Sequence, residues 1–506
     1  MRNRADPERN SPCRSSYGGM NKTIRRAAVF SLLLVFALLL RATWVQGYEA
    51  KALADDKHNR RNTIAQYAQP LGDIVVAGSP VTGSQRTKGG DLAYKRTYTD
   101  GALYAPVTGY SSQAYGATQL EGIYGDVLDG TDNRLKNPLD VLTDKRAQPG
   151  DVLTTIDPAV QKAGLEALGG KKGAAVAIDP KTGRILGVVS TPSYDPSKIS
   201  GTTDGDAWQR LTEDEDQPMV NRALRQPLPP GSTFKLVVAA AALEDGLHTS
   251  VDEPTDSPQP YTLPHTRTVL VNENRSAPCE NATIRTALRY SCNNVFGRMA
   301  ERLGKEKVRA MAEKFGFNDS EQDVPVRASK SVYPTEMDEA QTALTGIGQF
   351  EVTATPLQMA MVSAALAHDG LMASPHMVSK VVDADGTTLQ EYPDSDTERI
   401  VSSETAEQLR SAMVTVVEDG TGTNARIDGA EVGGKTGTAQ HGENNSKTPY
   451  AWFTSYAKSD GSGEGGSGRE VAVAVIVEDS GAARSEVSGN GLAAPIAERM
   501  MRAALG

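Results

Sequence analysis

Residues 229–243 read PPGSTFKLVVAAAAL, in which two prolines and a glycine run directly into an apolar helical pattern. The helix is predicted to begin at Ser232, so Lys235, three residues later, projects from the same face of the first turn. A serine needs a base to act as a nucleophile at neutral pH, and a lysine can be that base only when burial or another cation lowers its pKa. An N-cap serine followed by a solvated lysine gives the same pattern, so the stretch needs support from elsewhere in the chain.

Two further motifs supply polar side chains that suit this chemistry. Ser291-Cys292-Asn293 follows a helical run, and a tight turn there can aim the hydroxyl and the amide into one cleft, although an Asx or Ser turn explains the motif equally well. Residues 434–438 read GKTGT. On an edge strand these glycines let a substrate backbone approach closely, and Lys435 with the threonine hydroxyls can hold a carboxylate.

Residues 429–436 also match the phosphate-binding pattern G-x-x-x-x-G-K-[ST]. A true phosphate loop follows a buried strand and opens a helix whose N-terminus binds the phosphate. Residues 424–428 are not an apolar strand, and residues 438–448 do not have a helical pattern. We therefore predict that this stretch is a strand that carries a lysine, and not a nucleotide site.

The N-terminal segment contains a fourteen-residue run, Ala27–Leu40, that is apolar except for Ser31 and has no charged residue. If Arg41 extends toward the headgroups, the segment reaches residue 45 and is long enough to cross a membrane. Lys22, Arg25 and Arg26 lie just before the run, and no A-x-A cleavage site follows it. We therefore predict an uncleaved single-pass anchor over residues 27–45, with residues 1–26 in the cytoplasm and the remaining chain outside the membrane. A cleaved signal peptide and a translation start at Met20 are the alternatives.

The texture of the chain changes near residue 150. Residues 46–149 are rich in Gly, Thr, Tyr and Asp with short β-type runs, which predicts a mainly β domain. Residues 150–506 mix strand and helix patterns, which predicts one α+β domain. Two strand pairs are expected in it, one across the DPKTG turn at 179–183 and one across a flexible Gly/Ser-rich insert at 459–468. The expected helices are Ser232–Leu243, Ala282–Leu303, Thr355–His368 and Leu492–Leu505.

Composition excludes several classes of function. The 506 residues carry a net charge of −10 with no long basic run, which argues against nucleic acid as a partner. The three cysteines are too few for a disulfide-rich scaffold, and none is spaced with the six histidines for metal binding, so no metal site is expected. Cys279 and Cys292 lie thirteen residues apart and are hypothesised to pair if this part of the chain is outside the membrane.

The three motifs occur in the order Ser-x-x-Lys, Ser-x-Asn and Lys-Thr-Gly within one domain. On these motifs, and on Thr345–Gln358 and Ala451–Phe453, the chain resembles the class B penicillin-binding proteins, the membrane-anchored monofunctional D,D-transpeptidases of peptidoglycan synthesis. It is most similar to the PbpA/FtsI-like proteins of actinobacteria. The resemblance implies a penicillin-binding and β-lactamase-like domain, with helices on both faces of an antiparallel sheet and a helical subdomain, after a dimerisation or pedestal-like domain.

The resemblance also implies a role for each motif residue. Ser232 would be the acylated nucleophile and Lys235 its base, while Ser291 would relay a proton to the leaving D-alanine and Asn293 would fix Lys235 and the substrate amide. Lys435 would supply the positive potential that keeps Lys235 neutral. The terminal carboxylate of the substrate would be bound by the segment Thr436, Gly437 and Thr438. The backbone N–H groups of Ser232 and Thr438 would form the oxyanion hole.

Stem peptides, a D-alanyl-D-alanine donor and an amine acceptor, would be the substrates, and β-lactams would acylate the serine. The resemblance further implies a polytopic SEDS-type glycosyltransferase as a membrane partner, and it requires no metal or organic cofactor. A D,D-carboxypeptidase and a β-lactam or peptidoglycan sensor that does not turn over remain as alternatives. A β-lactamase is disfavoured because the chain has no Leu-Asn dipeptide and so no E-x-x-L-N loop.

Overall fold

The structure is a computed structural model that describes residues 17–49, 60–136, 146–394, 397–442, 445–459 and 468–506. The chain divides into two compact units, residues 1–66 and 67–506. Most of the predicted flexible insert at 459–468 lies outside the described residues, as does the larger part of the predicted tail at 1–26.

The first unit contains helix α1, Tyr17–Trp44, which continues into a wide turn, Val45–Glu49, and is followed by helix α2, Arg60–Gln66. The apolar side chains of α1 between Lys22 and Trp44 are exposed, including Leu32 at 68% and Leu38 at 69%. An exposed helix that is apolar on all faces over this length is typical of a membrane span. By length and composition α1 can cross a membrane, as the sequence predicts for residues 27–45.

The second unit begins with a small region that mixes strands and helices. Its elements are β1 Ile74–Val76, β2 Ser79–Pro80, β3 Thr82–Arg86, β4 Tyr94–Tyr98, α3 Gly101–Thr108, β5 Ser111–Ser112, β6 Gly116–Ala117, α4 Gln119–Ile123 and α5 Gly125–Leu128. The prediction of a mainly β domain is therefore wrong in its balance. Helix α3 contains Pro106, which discourages a helix in sequence, but Tyr104 and Val107 are buried and their packing outweighs local propensity.

The larger part of the second unit follows residue 150. Its first half contains β7 Asp151–Thr154, α6 Pro158–Leu168, β8 Lys172–Ile178, β9 Ile185–Thr191, α7 Gly205–Glu213, α8 Arg222–Arg225, α9 Lys235–Glu244, β10 Tyr261–Thr262, β11 Val269–Leu270, α10 Ile284–Tyr290, α11 Asn293–Leu303 and α12 Lys305–Lys314. Its second half contains α13 Glu339–Thr345, α14 Pro356–Ala367, β12 Leu371–Ala373, β13 Val378–Val382, β14 Thr388–Glu391, β15 Thr397–Arg399, α15 Ser403–Asp419, β16 Ala430–Ala439, β17 Tyr450–Ser459, β18 Glu470–Asp479 and α16 Ala494–Leu505.

An antiparallel sheet in the order β16-β17-β18-β8-β9 forms the centre of this part. Both predicted strand pairs are confirmed, β8 with β9 and β17 with β18. A second sheet, β14-β13-β7-β1-β2, joins the two parts of the unit, because β1 pairs in parallel with β7. The helices α6 and α16 pack on one face of the central sheet and α14 packs on the other. The predicted α+β penicillin-binding fold is therefore present.

Side chains of β18 show how the sheet divides the core into two layers. Val471, Val473 and Val475 belong to the apolar cluster beneath α6 and α16, whereas Ala472 and Ala474 belong to the cluster that contains α9 and α14. This alternation follows from the two-residue period of a strand buried on both faces. Strand β16 is the edge of the sheet, so the GKTGT motif has a side that no other strand covers.

Candidate active site

The first motif lies on a 3-10 turn, Gly231–Phe234, and α9 begins directly after it at Lys235. Ser232 is half-buried and Lys235 is fully buried. The turn packs against β16, because a Cβ atom placed on Gly437 would lie 2.9 Å from the Pro230 carbonyl oxygen. The nucleophile turn and the GKTGT strand are therefore in direct contact, which brings the backbone at Ser232 close to that at Thr438.

The amine of Lys235 is held by the second motif. Its Nζ donates to the Ser291 carbonyl oxygen at 2.8 Å and to Asn293 Oδ1 at 2.7 Å, and it lies 3.2 Å from Ser291 Oγ. A neutral amine has two N–H groups and one lone pair. Since the carbonyl and amide oxygens can only accept, they occupy both N–H groups and leave the lone pair for a hydroxyl. This arrangement suits a lysine that acts as a base.

Electrostatics also favour the neutral form of Lys235. Complete burial and the nearby positive charge of Lys435 lower the pKa of Lys235 well below its ordinary value, while the carboxylate of Glu273 acts in the opposite direction. Burial lowers the pKa of Lys435 as well, to about 7, again opposed by Glu273. The stronger effect on Lys235 leaves Lys435 as the group of the pair that retains more positive charge.

Ser291 lies between the two lysines. Lys435 Nζ donates to Ser291 Oγ at 3.0 Å and to the Thr436 carbonyl oxygen at 2.8 Å. The Ser291 hydroxyl can therefore accept from Lys435 and donate to the lone pair of Lys235. The three predicted motifs meet at this hydroxyl, and the side chains form one continuous path for a proton.

The position of Ser291 depends on a break in the predicted 282–303 helical run. Ser291 has φ of 59° and ends α10, and α11 then begins at Asn293. The residue before α11, Cys292, makes no side-chain cap. Instead Asn272, on a loop distant in sequence, accepts from the backbone N–H groups of Asn293 at 2.5 Å and Asn294 at 3.3 Å. A side chain from elsewhere thus satisfies the free N–H groups at this helix start.

A disulfide joins the same loop to the second motif. Cys279 and Cys292 are bonded with a Cα–Cα distance of 5.6 Å, and both are buried. The Cys279 carbonyl oxygen also accepts from Asn294 Nδ2 at 2.8 Å. The loop and the turn that carries Ser291 are therefore held together by a covalent bond and by hydrogen bonds.

The third motif lies on β16, as the edge-strand prediction requires, so the alternative phosphate-loop interpretation is excluded by a strand that begins at Ala430. Lys435 is opposite Thr454 on β17, and Thr454 contacts α14 through Ser363 at 2.6 Å, so Lys435 projects to the α14 side of the sheet. The hydroxyl of Thr436 is 2.7 Å from that of Thr421. Thr438 is half-buried on the same strand.

Several residues that support the site carry no motif signal. Asn272 accepts a hydrogen bond from the Asn293 backbone, and Thr421 shares one with the Thr436 hydroxyl. Both contacts exist only because folding brings separate segments together. Gly348 lies in the segment Thr345–Gln358 that carries the resemblance, but the contact it makes was not predicted: its carbonyl oxygen accepts from the Gly231 N–H at 3.2 Å. Asn272 lies 21 residues before Asn293, and nothing in the sequence distinguishes it from the other polar residues around it.

Gly348 packs against the turn Gly231–Phe234, which carries Ser232, and its substitution tests whether the position of that turn matters. Its φ is +67°, and a Cβ there would lie 2.1 Å from the Gly231 carbonyl oxygen. We expect Gly348→Ala to push the turn away from its position and to slow acylation by a β-lactam about tenfold or more, since small displacements of reacting groups are costly. The measurement is the second-order rate constant for labelling by a fluorescent penicillin.

Gly246 provides the matched control for this substitution. Its φ is +71°, close to that of Gly348, but a Cβ there has no atom within 4 Å. Gly246→Ala is expected to cost about 1 kcal/mol of stability from the backbone strain and to leave the labelling rate unchanged. Equal labelling rates for the two variants would contradict the bracing role of Gly348.

Comparisons with known proteins agree with this geometry. Residues 173–502 match the family described as penicillin binding protein transpeptidase domain, and residues 71–152 match the penicillin binding protein A dimerisation domain. The chain is 36% identical over 500 residues to the peptidoglycan D,D-transpeptidase PbpA of Mycolicibacterium smegmatis, covering 96% of this chain and 99% of that protein.

Solved structures are similar over most of the chain. The ceftriaxone acyl-enzyme complex of penicillin-binding protein A from M. tuberculosis has a TM-score of 0.79 and 34% identity, covering 88% of this chain and 100% of the other. The D,D-transpeptidase domain of a peptidoglycan glycosyltransferase from Eggerthella lenta has a TM-score of 0.72 and 31% identity, covering 86% of this chain and 98% of the other.

Proposed function

The chain belongs to the class B penicillin-binding protein transpeptidases, and from this premise we propose that it cross-links peptidoglycan stem peptides through an acyl-enzyme on Ser232. The observation that carries the assignment to these residues is the position of Ser291 Oγ, 3.2 Å from Lys235 Nζ and 3.0 Å from Lys435 Nζ. Ser232 is also the proposed site of acylation by β-lactams.

In the first step, Ser232 Oγ attacks the carbonyl carbon of the D-alanyl-D-alanine bond while Lys235 accepts its proton. The oxyanion receives hydrogen bonds from the backbone N–H groups of Ser232 and Thr438, a contribution of roughly 3–4 kcal/mol for one such donor. Ser291 delivers a proton to the nitrogen of the departing D-alanine, and Lys235 replaces it. The acyl-enzyme and free D-alanine are the products.

The third motif holds the donor by its terminal carboxylate. Lys435 supplies positive charge, and the hydroxyls of Thr436 and Thr438 supply hydrogen bonds along the edge of β16. Gly437 lets the donor backbone approach the strand, since it carries no side chain between them. A bound carboxylate favours the ammonium form of Lys435, and this charge in turn lowers the pKa of Lys235.

Asn293 is proposed to orient Lys235 and to contact the donor amide. Its Oδ1 accepts from Lys235, and its Nδ2 donates to the Val271 carbonyl oxygen at 2.7 Å. A carboxamide nitrogen has two hydrogens, so one remains for the substrate. The disulfide between Cys279 and Cys292 keeps Ser291 and Asn293 in this position.

We propose four segments for the chain: a cytoplasmic tail at 1–26, an anchor at 27–45, a non-catalytic domain at 46–149 and a transpeptidase domain at 150–506. Basic residues before the anchor support a cytoplasmic N-terminus and an extracytoplasmic catalytic domain. The anchor and the non-catalytic domain are the proposed contacts for a SEDS-type glycosyltransferase in the membrane.

The experiment that tests the function uses a D-alanyl-D-alanine stem pentapeptide as donor and a second stem peptide as amine acceptor. We expect the cross-linked dimer and released D-alanine in equal amounts, measured by mass spectrometry. Release of D-alanine with only the hydrolysed tetrapeptide would support a D,D-carboxypeptidase instead. Absence of any D-alanine release by folded protein would favour a sensor.

A further inference from the structure

One wall of the site is formed by residues 271–273, here called the lip. The Val271 carbonyl oxygen accepts from Asn293 Nδ2 at 2.7 Å, and Asn272 Oδ1 accepts from the Asn293 backbone N–H at 2.5 Å. Asn272 Nδ2 also donates to Asn294 Oδ1 at 2.9 Å. The lip is therefore held to the second motif through its first residue, Val271, and its central residue, Asn272.

The lip presents two side chains to solvent beside Asn293. Val271 is 50% exposed, and Glu273 is exposed as well. The negative charge of Glu273 acts on both lysines of the site. Its carboxylate raises the pKa of Lys235 and of Lys435, opposing the effect of their burial. Glu273 directly follows Asn272, whose side chain binds the backbone N–H of Asn293, so this exposed carboxylate lies beside the second motif, on the same side of the site as Asn293.

The second half-reaction places a particular demand on this cleft. A primary amine with an ordinary pKa near 10.4 arrives mainly as an ammonium at neutral pH. It must approach the acyl-enzyme past the positive potential of Lys435, which serves the donor carboxylate. A carboxylate near the entrance reduces this repulsion and concentrates the cation there.

We propose that Glu273 is a positioning residue for the acyl acceptor, whose ammonium its carboxylate holds at the mouth of the site. The exposed side chain of Val271 provides apolar surface for the aliphatic stem of the same acceptor. This inference rests on the proposed transpeptidase function and names the residue that recognises its second substrate. It also assigns the two substrates to opposite walls, the donor carboxylate to β16 and the acceptor amine to the lip.

The chemical step follows release of one proton from the ammonium to solvent. The amine nitrogen then attacks the acyl carbon, a C–N bond forms, and the ester bond to Ser232 Oγ breaks. The second amine proton passes to Lys235 and from there to Ser232 Oγ, which restores the free serine. Glu273 takes no part in bond making, and its effect is on the occupancy and orientation of the amine.

The test compares a cationic and an uncharged acceptor on the same acyl-enzyme. An N-acyl-D-alanyl thioester acylates the protein, and Nα-acetyl-lysine amide or hydroxylamine, which is uncharged at pH 8, is added as acceptor. The readout is the ratio of the two aminolysis rate constants at low acceptor concentration. For Glu273→Gln we expect this ratio to fall about fivefold, the effect of losing one partly exposed ion pair. Glu273→Asp is expected to restore part of it.

Glu280→Gln is the matched control, since Glu280 is an exposed carboxylate on the same loop and is not attached to the second motif through the lip. Its ratio should equal that of the parent chain. An unchanged ratio for Glu273→Gln on a normally formed acyl-enzyme would overturn the role of Glu273 alone. Failure of the parent chain to form an acyl-enzyme would instead overturn the proposed function on which the inference rests.

Discussion

Replacement of Ser232 by alanine is expected to abolish covalent labelling by a fluorescent penicillin, with a loss of more than about 10⁴-fold in the acylation rate. The reason is chemical, because the substitution removes the hydroxyl oxygen that is proposed to carry the acyl group, while the Ser291 hydroxyl remains hydrogen-bonded between the two lysines. The labelled adduct of the parent chain should persist for hours, since a transpeptidase does not hydrolyse it quickly. Gel fluorescence and intact-protein mass measure both properties.

Two controls distinguish loss of the nucleophile from a general effect of removing a serine and from loss of the fold. Ser320→Ala removes an exposed hydroxyl in the same domain and should label like the parent chain. Thermal unfolding should give similar transitions for Ser232→Ala and the parent, since Ser232 is half-buried and its loss leaves the fold intact. A stable adduct on Ser232→Ala would show that another residue is the nucleophile. Rapid loss of label from the parent would indicate β-lactamase activity.

The residues that form the candidate site could be predicted from sequence because the prediction depends on residue type and order. Ser232, Lys235, Ser291, Asn293 and Lys435 are distinctive in their spacing, and the strand and helix patterns around them are regular. The edge position of Lys435 was also predictable, since glycines on both sides of a lysine suit a strand that a substrate approaches. In the structure hydrogen bonds connect Lys235, Ser291, Asn293 and Lys435, and Ser232 lies on the turn that directly precedes Lys235.

The supporting residues could not be predicted, because their roles depend on contacts between distant segments. Asn272 caps α11 only because the loop at 271–281 folds over the start of that helix. Gly348 matters only because its carbonyl oxygen meets the N–H of Gly231, more than a hundred residues earlier. The left-handed backbone of Ser291, with φ of 59°, is likewise imposed by the packing of α10 and α11 and not by a local preference of serine.

The secondary structure of the non-catalytic region was also difficult to predict from sequence, because it depends on contacts between distant segments. Its short elements have weak individual propensities, and they are ordered by contacts with the catalytic part. Strand β1 is three residues long and pairs in parallel with β7. Ile74 of β1 is opposite Val152 of β7, which lies 78 residues later in the chain. Arg96, fully buried, is paired with Glu121 at 2.6 Å. Composition alone does not reveal which arginine will be buried and paired in a short strand. The prediction from composition therefore overestimates the share of strand in this region.

Lys235→Met is expected to reduce the acylation rate by about 10²–10⁴-fold, the usual contribution of a general base. It should also change how stability depends on pH. The folded chain holds Lys235 with a pKa well below the ordinary value, whereas the unfolded chain titrates near 10.4. Between these values the unfolded state binds the extra proton, so this residue makes the parent chain more stable as pH rises.

The size of that effect follows from linkage. Each pH unit within the window adds at most about 1.4 kcal/mol, so between pH 8 and 9.5 the parent should gain stability, by up to about 2 kcal/mol, relative to Lys235→Met. Urea unfolding at the two pH values measures the difference. Lys162→Met, which removes a 67% exposed lysine, should follow the parent curve. Parallel curves for the parent and Lys235→Met would mean that Lys235 is charged in the folded protein, and a charged Lys235 has no lone pair with which to accept the proton of Ser232.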